Sequence, residues 1–335
     1  INFRSQSALR CFAPHHYVSQ IMYRKKLVYG MMSNGLLLWL LIPLGSACTR
    51  ERLTVAPDNN APWYADVPTI LVENYVNRVF IDLLGREPVD SEMTVHVQYL
   101  RAGDLSKARR TDWIRMLQTD TVPAAGDSSY QSVYYRRFYE MTKVRLLEGV
   151  SDSYLLGQIG ILRFGIQVDS LNGDTTAVNK KRGDVARYER IMQSEYDYRY
   201  GRVTLDSVCA RMVDNPVYDF INMNSFNFIN ATFDNLYFRF PTQNELERAY
   251  VMVDASQPST LFGRPGSNKS DYIQIVVAQR EFWQGWVVWA YKTLLARDPT
   301  TSELYAAQLQ LSADRNFHAT LLNILISDEY AHFNP

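Results

Sequence analysis

The chain has 335 residues, which is enough for one large domain or two smaller ones. Its hydrophobic fraction of 47% is that of a globular protein and excludes a largely disordered chain. The 35 basic and 35 acidic side chains balance to a net charge of zero, which argues against a nucleic-acid-binding protein, because such proteins carry a basic excess.

The N-terminal segment has the pattern of a bacterial secretion signal. Basic residues at 24–26 precede an apolar run at 36–44, and the small residues 45–47 lead directly to Cys48. As a helix, the apolar run would be about 14 Å long. It is too short for a hydrocarbon core of roughly 30 Å, so a secretion signal is favoured over a membrane span.

We interpret residues 22–47 as a lipoprotein signal peptide and Cys48 as the lipidated first residue of the mature chain. Gly45 stands where a lipoprotein signal usually has leucine. Cleavage by the ordinary signal peptidase and an uncleaved anchor helix therefore remain alternatives.

Residues 1–21 are interpreted as a segment upstream of the native start, and residues 48–67 as a polar tether to the folded body. Thr49 follows the cysteine where an aspartate would favour retention in the inner membrane. We therefore expect a lipid-anchored protein of the outer membrane, on either its periplasmic or its surface face.

Three later segments share one helical pattern. Apolar residues lie ten, six and three positions before an arginine, which is helical spacing, and a proline follows two positions after it. The arginines and prolines are Arg86 with Pro88, Arg239 with Pro241, and Arg297 with Pro299. Each segment therefore predicts a helix that ends at an R-x-P turn.

The residues after each proline predict the start of a second helix. Two of the units have the capping-box pattern, Thr242 with Glu245 and Thr300 with Glu303. In the first unit Glu92 is present, but Val89 has no side-chain oxygen with which to cap the helix. A weaker or shifted helix start is expected there, with Asp90 as the cap.

A third element follows each copy and ends near an acid and an aromatic residue, as at 113–120, 275–287 and 321–333, with a further copy at 209–221. The prediction is a mainly all-α protein of helical repeat units joined by R-x-P turns. Unit 1 covers residues 68–149, and units 2 and 3 cover residues 206–335.

Residues 150–205 do not fit the unit and are predicted to be a small irregular or hairpin insertion. Glycines and a turn at Asn172–Gly173 favour a short β-hairpin, followed by a helix from Asp184. Residues 144–155 are interpreted as a decayed copy of the unit, and residues 256–270 as a Pro/Gly/Ser loop.

These segments resemble the phycobilisome-linker-like helical modules of secreted bacterial proteins. The resemblance is carried by Leu84-Gly85-Arg86-Glu87-Pro88, by Leu295-Ala296-Arg297-Asp298-Pro299 and by the closing Ser327-Asp328-Glu329-Tyr330. The signal and the many Tyr and Asn residues are similar to surface lipoproteins of the Bacteroidetes. Because linker modules hold assemblies together, the resemblance implies a structural role and supplies no catalytic residues.

A search for catalytic chemistry finds no constellation. His96, His318 and His332 lack metal-ligand spacing, and each is expected to be an edge or surface histidine. Cys209 lies in an apolar helical context, so a buried thiol is expected. We predict no catalytic residue, no metal and no cofactor.

The leading hypothesis is a non-enzymatic lipoprotein, anchored in the outer membrane, that docks onto other envelope or surface proteins as a structural or accessory subunit of a hetero-oligomer. One alternative is a glycan-binding lipoprotein that uses the aromatic segments 130–139 and 188–200 as stacking platforms. The other is a hydrolase whose site forms only in the fold.

Overall fold

The structure, a computed structural model, describes residues 64–124 and 128–333. These residues form fifteen α-helices and one two-stranded sheet, which confirms the predicted all-α class. A 3-10 turn, Tyr64–Asp66, precedes the first helix. The helices are α1 (Thr69–Val79, continued by a π-helical turn, Phe80–Leu84), α2 (Asp90–Arg101), α3 (Lys107–Thr119), α4 (Tyr130–Leu147), α5 (Asp152–Leu171), α6 (Thr175–Arg199), α7 (Leu205–Val213), α8 (Pro216–Asn222), α9 (Ser225–Tyr237), α10 (Gln243–Val253), α11 (Lys269–Val277), α12 (Arg280–Leu295), α13 (Thr301–Asp314), α14 (Phe317–Leu325) and α15 (Asp328–Ala331).

The three predicted units are visible as helix triplets, α1–α2–α3, α9–α10–α11 and α12–α13–α14. The third element differs from its prediction, because the expected single helix at 275–287 is two helices. After α11, Gln279 is extended (φ −80°, ψ 155°), and α12 begins at the next residue. The acid and aromatic pair therefore belongs to the start of the following helix.

The other copies of the third element break in the same way. In the segment 209–221, Asn215 accepts hydrogen bonds from the N–H groups of Val217 and Tyr218, and Pro216 opens α8. In the last copy, Ser327 caps α15. In these two copies a capping side chain after the third helix thus starts a new helix, whereas Gln279 makes no such bond.

The insertion is helical, so the predicted β-hairpin at the start of residues 150–205 is wrong. Helices α5 and α6 form an antiparallel helical hairpin, and its turn lies at the predicted Asn172–Gly173, where Gly173 has φ +74°. The second helix begins at Thr175, earlier than the expected Asp184. The glycines within α5 leave its backbone helical, since each costs only about 1 kcal/mol relative to alanine.

Segment 144–155, interpreted as a decayed unit, keeps the order of a helix, a left-handed residue and a capped helix. Glu148 ends α4 with φ +52°, and Ser151 caps α5 by accepting from the N–H of Tyr154. The R-x-P residues are missing there. In their place, the buried Lys143 Nζ lies 2.8 Å from Oδ1 of Asp152 at the start of α5.

The sheet of the described residues lies in the segment predicted as a loop. Strand β1 (Ser259–Leu261) pairs antiparallel with β2 (Arg264–Gly266), with Ser259 opposite Gly266. The two turn residues, Phe262 and Gly263, both have positive φ, of 52° and 73°. This is the geometry of a two-residue hairpin turn whose twist matches that of the strands.

The last unit packs against the first. The Tyr75 hydroxyl donates to the carbonyl of Leu325 at 3.0 Å, and the Tyr330 hydroxyl donates to Oδ2 of Asp82 at 2.6 Å. The Tyr64 hydroxyl donates to Asp328 at 2.8 Å, so the end of the expected tether 48–67 already belongs to the folded body. The repeat array is therefore closed on itself.

Helices α9 and α12 approach most closely at Gly285. A Cβ at this position would lie 1.9 Å from the carbonyl oxygen of Leu236, which is backbone and cannot rotate away. The neighbouring Trp286 and Val287 are buried in the core. Only glycine therefore permits this crossing of the first helices of units 2 and 3.

We expect Gly285→Ala to destabilise the protein by at least about 1–3 kcal/mol, because overpacking forces the two helices apart. The measurement is the free energy of unfolding from chemical denaturation. Gly183→Ala on α6 is the control, since no atom lies within 4 Å of its Cβ position. That control should be neutral or up to about 1 kcal/mol more stable. Equal stability of the two variants would contradict the close crossing.

Candidate functional site

The R-x-P turn of unit 3 holds an arginine between two helices. Arg297 forms a bidentate ion pair with Glu303, with Nη1–Oε2 at 2.9 Å and Nη2–Oε1 at 2.8 Å. Its Nη1 also donates to the carbonyl of Asp298 at 3.0 Å. The guanidinium lies over the ring of Tyr291, 5.2 Å from its centroid. One side chain thus contacts the end of α12, the turn and the start of α13.

Units 1 and 2 repeat this geometry. Arg86 pairs with Glu92 at 2.7 and 2.8 Å, and Arg239 pairs with Glu245 at 2.8 Å through both nitrogens. The aromatic ring six residues before each arginine again lies under the guanidinium, Phe80 at 5.4 Å and Phe233 at 5.1 Å. We name the three pairs, Arg86–Glu92, Arg239–Glu245 and Arg297–Glu303, the arginine clamps.

A left-handed residue precedes each arginine and ends the first helix, namely Gly85 (φ 73°), Phe238 (φ 57°) and Ala296 (φ 54°). The first helix of unit 3 was predicted to end at Arg297, and it ends before that residue, at Leu295. The prolines Pro88, Pro241 and Pro299 come directly before the N-cap residues of the second helices, where an extended backbone is required.

The carboxylate of each clamp also caps the second helix. In unit 3, Glu303 Oε2 accepts from the N–H of Thr300 at 2.7 Å, and the Thr300 hydroxyl accepts from the N–H of Glu303 at 3.3 Å. Thr242 and Glu245 form the same capping box. The sequence identified these glutamates as caps but missed their arginine partners, although the constant spacing of six residues was visible.

In unit 1 only half of the capping box can form. The N–H of Val89 donates to Glu92 Oε2 at 2.9 Å, but Val89 has no oxygen to accept in return. Helix α2 still begins at Asp90, directly after Val89, so the expected shift to an Asp90 cap is wrong. The arginine clamp keeps the helix start in place without a capping side chain.

Val89→Thr should restore the missing hydrogen bond and stabilise the protein by about 0.5–2 kcal/mol. Val89 is 45% exposed, so the change loses little apolar burial. The matched variant is Thr300→Val, which should lower the free energy of unfolding by a similar amount. Thermal or chemical denaturation measures both, and a destabilised Val89→Thr would contradict the assignment.

The clamps hold their glutamates in the charged form. The ion pair with Arg297 lowers the pKa of Glu303 from 4.5 to about 2, although burial raises it. At Glu245 and Glu92, burial is the largest single influence and raises the pKa. Their arginines and the cap N–H groups together outweigh it, so the pKa of both is lowered. These carboxylates therefore bind a cation and a helix start at neutral pH.

Because the pKa of Glu303 is lower in the folded state, its stabilising effect is complete above about pH 4.5 and is lost as the pH falls towards 2. Glu303→Gln should therefore reduce the loss of stability across this range. Acid unfolding followed by circular dichroism tests this, with Glu247→Gln, an exposed residue of α10 outside the clamps, as the control. Identical acid profiles for Glu303→Gln and wild type would refute the coupling.

A second carboxylate connects the clamp to the next unit. Arg239 Nη2 lies 2.6 Å from Glu281 at the start of α12, and Arg297 Nε lies 2.6 Å from Glu329 in α15. These glutamates are the acids of the acid and aromatic pair that the sequence singled out. In unit 1, the hydroxyl of Tyr130, at the start of α4, donates to Glu92 Oε1 at 2.9 Å.

His96 lies in a buried polar chain, so its expected place at an edge or on the surface is wrong. Trp113 Nε1 donates to Nδ1 of His96 at 3.1 Å, which assigns the proton of the neutral ring to Nε2. That nitrogen lies 3.1 Å from the Tyr130 hydroxyl, which donates to Glu92. Burial lowers the pKa of His96 and keeps it neutral. Every member has a partner, so the chain connects α2, α3 and α4.

The other candidate ligands are also accounted for by the fold. His318 is partly buried among aromatic rings and hydrogen-bonds with Tyr134, and burial lowers its pKa to about 4. His332 is exposed and lies 2.8 Å from Arg78. Cys209 is a buried free thiol whose pKa is raised by burial. Within 64–124 and 128–333, no group of three His, Cys, Asp or Glu could hold a metal ion. Cys48 lies outside the described residues.

The exposed side of α5 is mostly apolar, and its polar residues are Ser153 and Gln167. Only Leu155 and Ile159 of this helix are buried, whereas Phe164 is 68% and Leu171 is 89% exposed. At 100° per residue, the exposed apolar positions fall in a sector of about 160°. We name these positions the α5 face: Tyr154, Leu156, Gly157, Gly160, Ile161, Phe164, Val168 and Leu171.

The α5 face has no charged side chain within its sector, because Asp152, Arg163 and Asp169 lie on the other sides of the helix. From Tyr154 to Leu171 it is about 26 Å long, at a rise of about 1.5 Å per residue. Gly157 and Gly160 are open to the outside, since no atom lies within 4 Å of either Cβ position. A monomeric soluble protein rarely exposes an apolar surface of this extent unless it binds something.

The expected aromatic platforms are mostly core. In the segment 130–139, Tyr130, Tyr134 and Tyr139 are buried. In the segment 188–200, Tyr188 is buried, and the exposed rings are Tyr196 and Tyr200, with centroids 4.5 Å apart. The residues of 130–139 therefore form no stacking platform, and the exposed aromatic surface of 188–200 is one pair of rings.

No family model, no curated protein and no solved structure matches the chain. In the part of the chain that the structure describes, no helix is long and apolar enough to cross a membrane.

Proposed function

We propose that the protein is a non-enzymatic lipoprotein, anchored in the outer membrane through Cys48, that docks onto a larger envelope assembly as a structural or accessory subunit. The observation that carries the proposal is the α5 face, an uncharged and mostly apolar surface on a hairpin inserted between repeat units. The signal pattern before Cys48 supplies the anchor.

The partner on this face is an apolar helix of another protein. Leu156, Gly160 and Phe164 follow one another at intervals of four residues, and Gly157 and Ile161 form the adjacent row. Large and small residues thus alternate in both rows, which makes ridges and hollows of the kind into which a second helix packs. Glycine at such positions lets two helix backbones approach closely.

A lipid surface fits the α5 face less well. Helices that lie on membranes have a polar face rich in unpaired lysine and arginine, which attracts anionic lipids. Two basic groups beside α5 are paired within the hairpin, Arg163 with Glu189 at 2.7 Å and Lys181 with Asp169. Lipid chains also gain no contact from exposed glycines.

The two alternative functions have less support. Glycan binding rests on Tyr196 and Tyr200, with Arg202 lying 4.7 Å over the Tyr196 ring. A hydrolase would need an acid and a histidine in an open cleft, whereas Glu92 and His96 are joined in a buried chain that Trp113 completes. We therefore place docking first.

Docking is tested with the full chain expressed in its native host and extracted from the membranes with detergent. Phe164→Glu places a charge in the α5 face and should abolish co-purification of the partner after detergent extraction. Val95→Glu is the matched control, because Val95 is 59% exposed on α2, outside this face. A wild-type protein that purifies alone would sink the proposal, as would equal co-purification with both variants.

The identity of the occupant is tested by crosslinking. Photoreactive benzoylphenylalanine in place of Phe164 should form an adduct with a second protein. Adducts with lipid only, or with another copy of the chain only, would overturn the choice of partner. Cys48→Ser should abolish the incorporation of labelled palmitate into the protein. Unchanged incorporation would refute the lipid anchor and leave the docking result separate.

A further inference from the structure

A cleft of about 260 Å³ is lined by arginines from two helices. Arg187 and Arg190 come from α6, and Arg211 comes from α7. Asp214 is the acid of the lining. Two of the three arginines form ion pairs with aspartates outside the lining, Arg187 with Asp184 and Arg211 with Asp197. We name this cavity the arginine cleft.

Arg190 is the cation of the cleft that the protein leaves unneutralised. Its Nε donates to the carbonyl of Ala186 at 3.3 Å, and among the described residues neither Nη group has a hydrogen-bond or ion-pair partner. In each arginine clamp, by contrast, two guanidinium nitrogens contact a carboxylate. An arginine held at a cleft with both terminal nitrogens unused is able to bind an anion through both.

The other two arginines are oriented by acids and keep donors for a ligand. Arg211 Nη1 donates to Asp197 at 2.8 Å, and within 64–124 and 128–333 its Nε and Nη2 have no hydrogen-bond partner. Arg187 is paired with Asp184, and its Nη1 lies 3.7 Å from Asp214. These ion pairs hold the guanidinium groups at the cleft wall, so little side-chain entropy is lost when a ligand binds.

The remaining wall is polar and suits an anion with hydroxyl neighbours. Ser207 lies in the first turn of α7, where the helix dipole favours negative charge. Gln274 of α11 is an exposed polar residue of the lining. The volume is larger than an isolated anion requires, which leaves room for a sugar or another small polar group attached to it.

We propose that the arginine cleft binds a phosphate monoester. A carboxylate is satisfied by one guanidinium in bidentate geometry, whereas a phosphate dianion has three terminal oxygens and two charges to neutralise. Three guanidinium groups from two helices provide donors for those oxygens, and Arg190 adds a positive charge that no acid of the described residues neutralises. The cleft uses residues outside the α5 face, so this binding site is independent of the proposed docking.

The test is isothermal titration calorimetry on the purified full chain at physiological ionic strength. The three probes are inorganic phosphate, glucose 1-phosphate and the soluble lipid dihexanoyl phosphatidic acid. Wild type should bind at least one of them with a millimolar or lower dissociation constant. Tighter binding of the sugar phosphate or of the lipid than of inorganic phosphate identifies the source of the phosphate group.

Arg190→Gln should weaken binding at least tenfold, because it removes the unpaired cation. Gln274→Glu should have a similar effect, since it places a negative charge in the lining of the cleft. Arg182→Gln, an exposed arginine of α6 outside the cleft, is the control and should leave binding unchanged. Unaltered far-UV circular dichroism establishes that each variant folds. No binding of any probe by wild type, or equal binding by Arg190→Gln, would overturn the proposal.

Discussion

The bidentate pair between an arginine after one helix and a glutamate in the first turn of the next fixes the geometry on which this fold depends. One carboxylate satisfies both the guanidinium and the N–H of the cap residue, and the aromatic ring below holds the arginine in place. Lysine could not replace it, because a single ammonium cannot form two parallel hydrogen bonds. In units 2 and 3, a further glutamate from the following helix contacts the same cation. In these two units the same arginine therefore fixes both the turn within the unit and the contact with the next helix.

The clamps are local, whereas the core is not. The first helices of units 2 and 3 cross at Gly285 with backbone contact, and Tyr330 of the last short helix reaches Asp82 of the first unit. Such contacts bury the apolar faces that a single unit cannot bury alone. The hairpin α5–α6 is only partly covered by other helices, and apolar side chains remain exposed on its outer side. Binding surface and stabilising core are thus separated along the chain.

The units, their turns and two of the caps were predictable because they depend on residues six or fewer positions apart. Arg297, Pro299, Thr300 and Glu303 specify a turn wherever they occur together. The helical hairpin was missed because α5 is apolar on most sides and punctuated by glycine, so it lacks the periodicity of a half-buried helix. The burial of His96 was missed for a different reason, since the partners that surround it are distant in sequence and meet only in the fold.

Closure of the array limits how such a protein can change. An open solenoid can gain or lose a repeat at either end, because its terminal units meet only one neighbour. Here α14 and α15 occupy the surface of the first helix and its π-helical turn that an added unit would need, through Leu325 and Tyr330. Duplication of a terminal repeat would therefore first disrupt the contact between the last unit and the first. An insertion between two units adds exposed surface and keeps the contact between the last unit and the first. The long hairpin α5–α6 lies at such a position, between the first and second units.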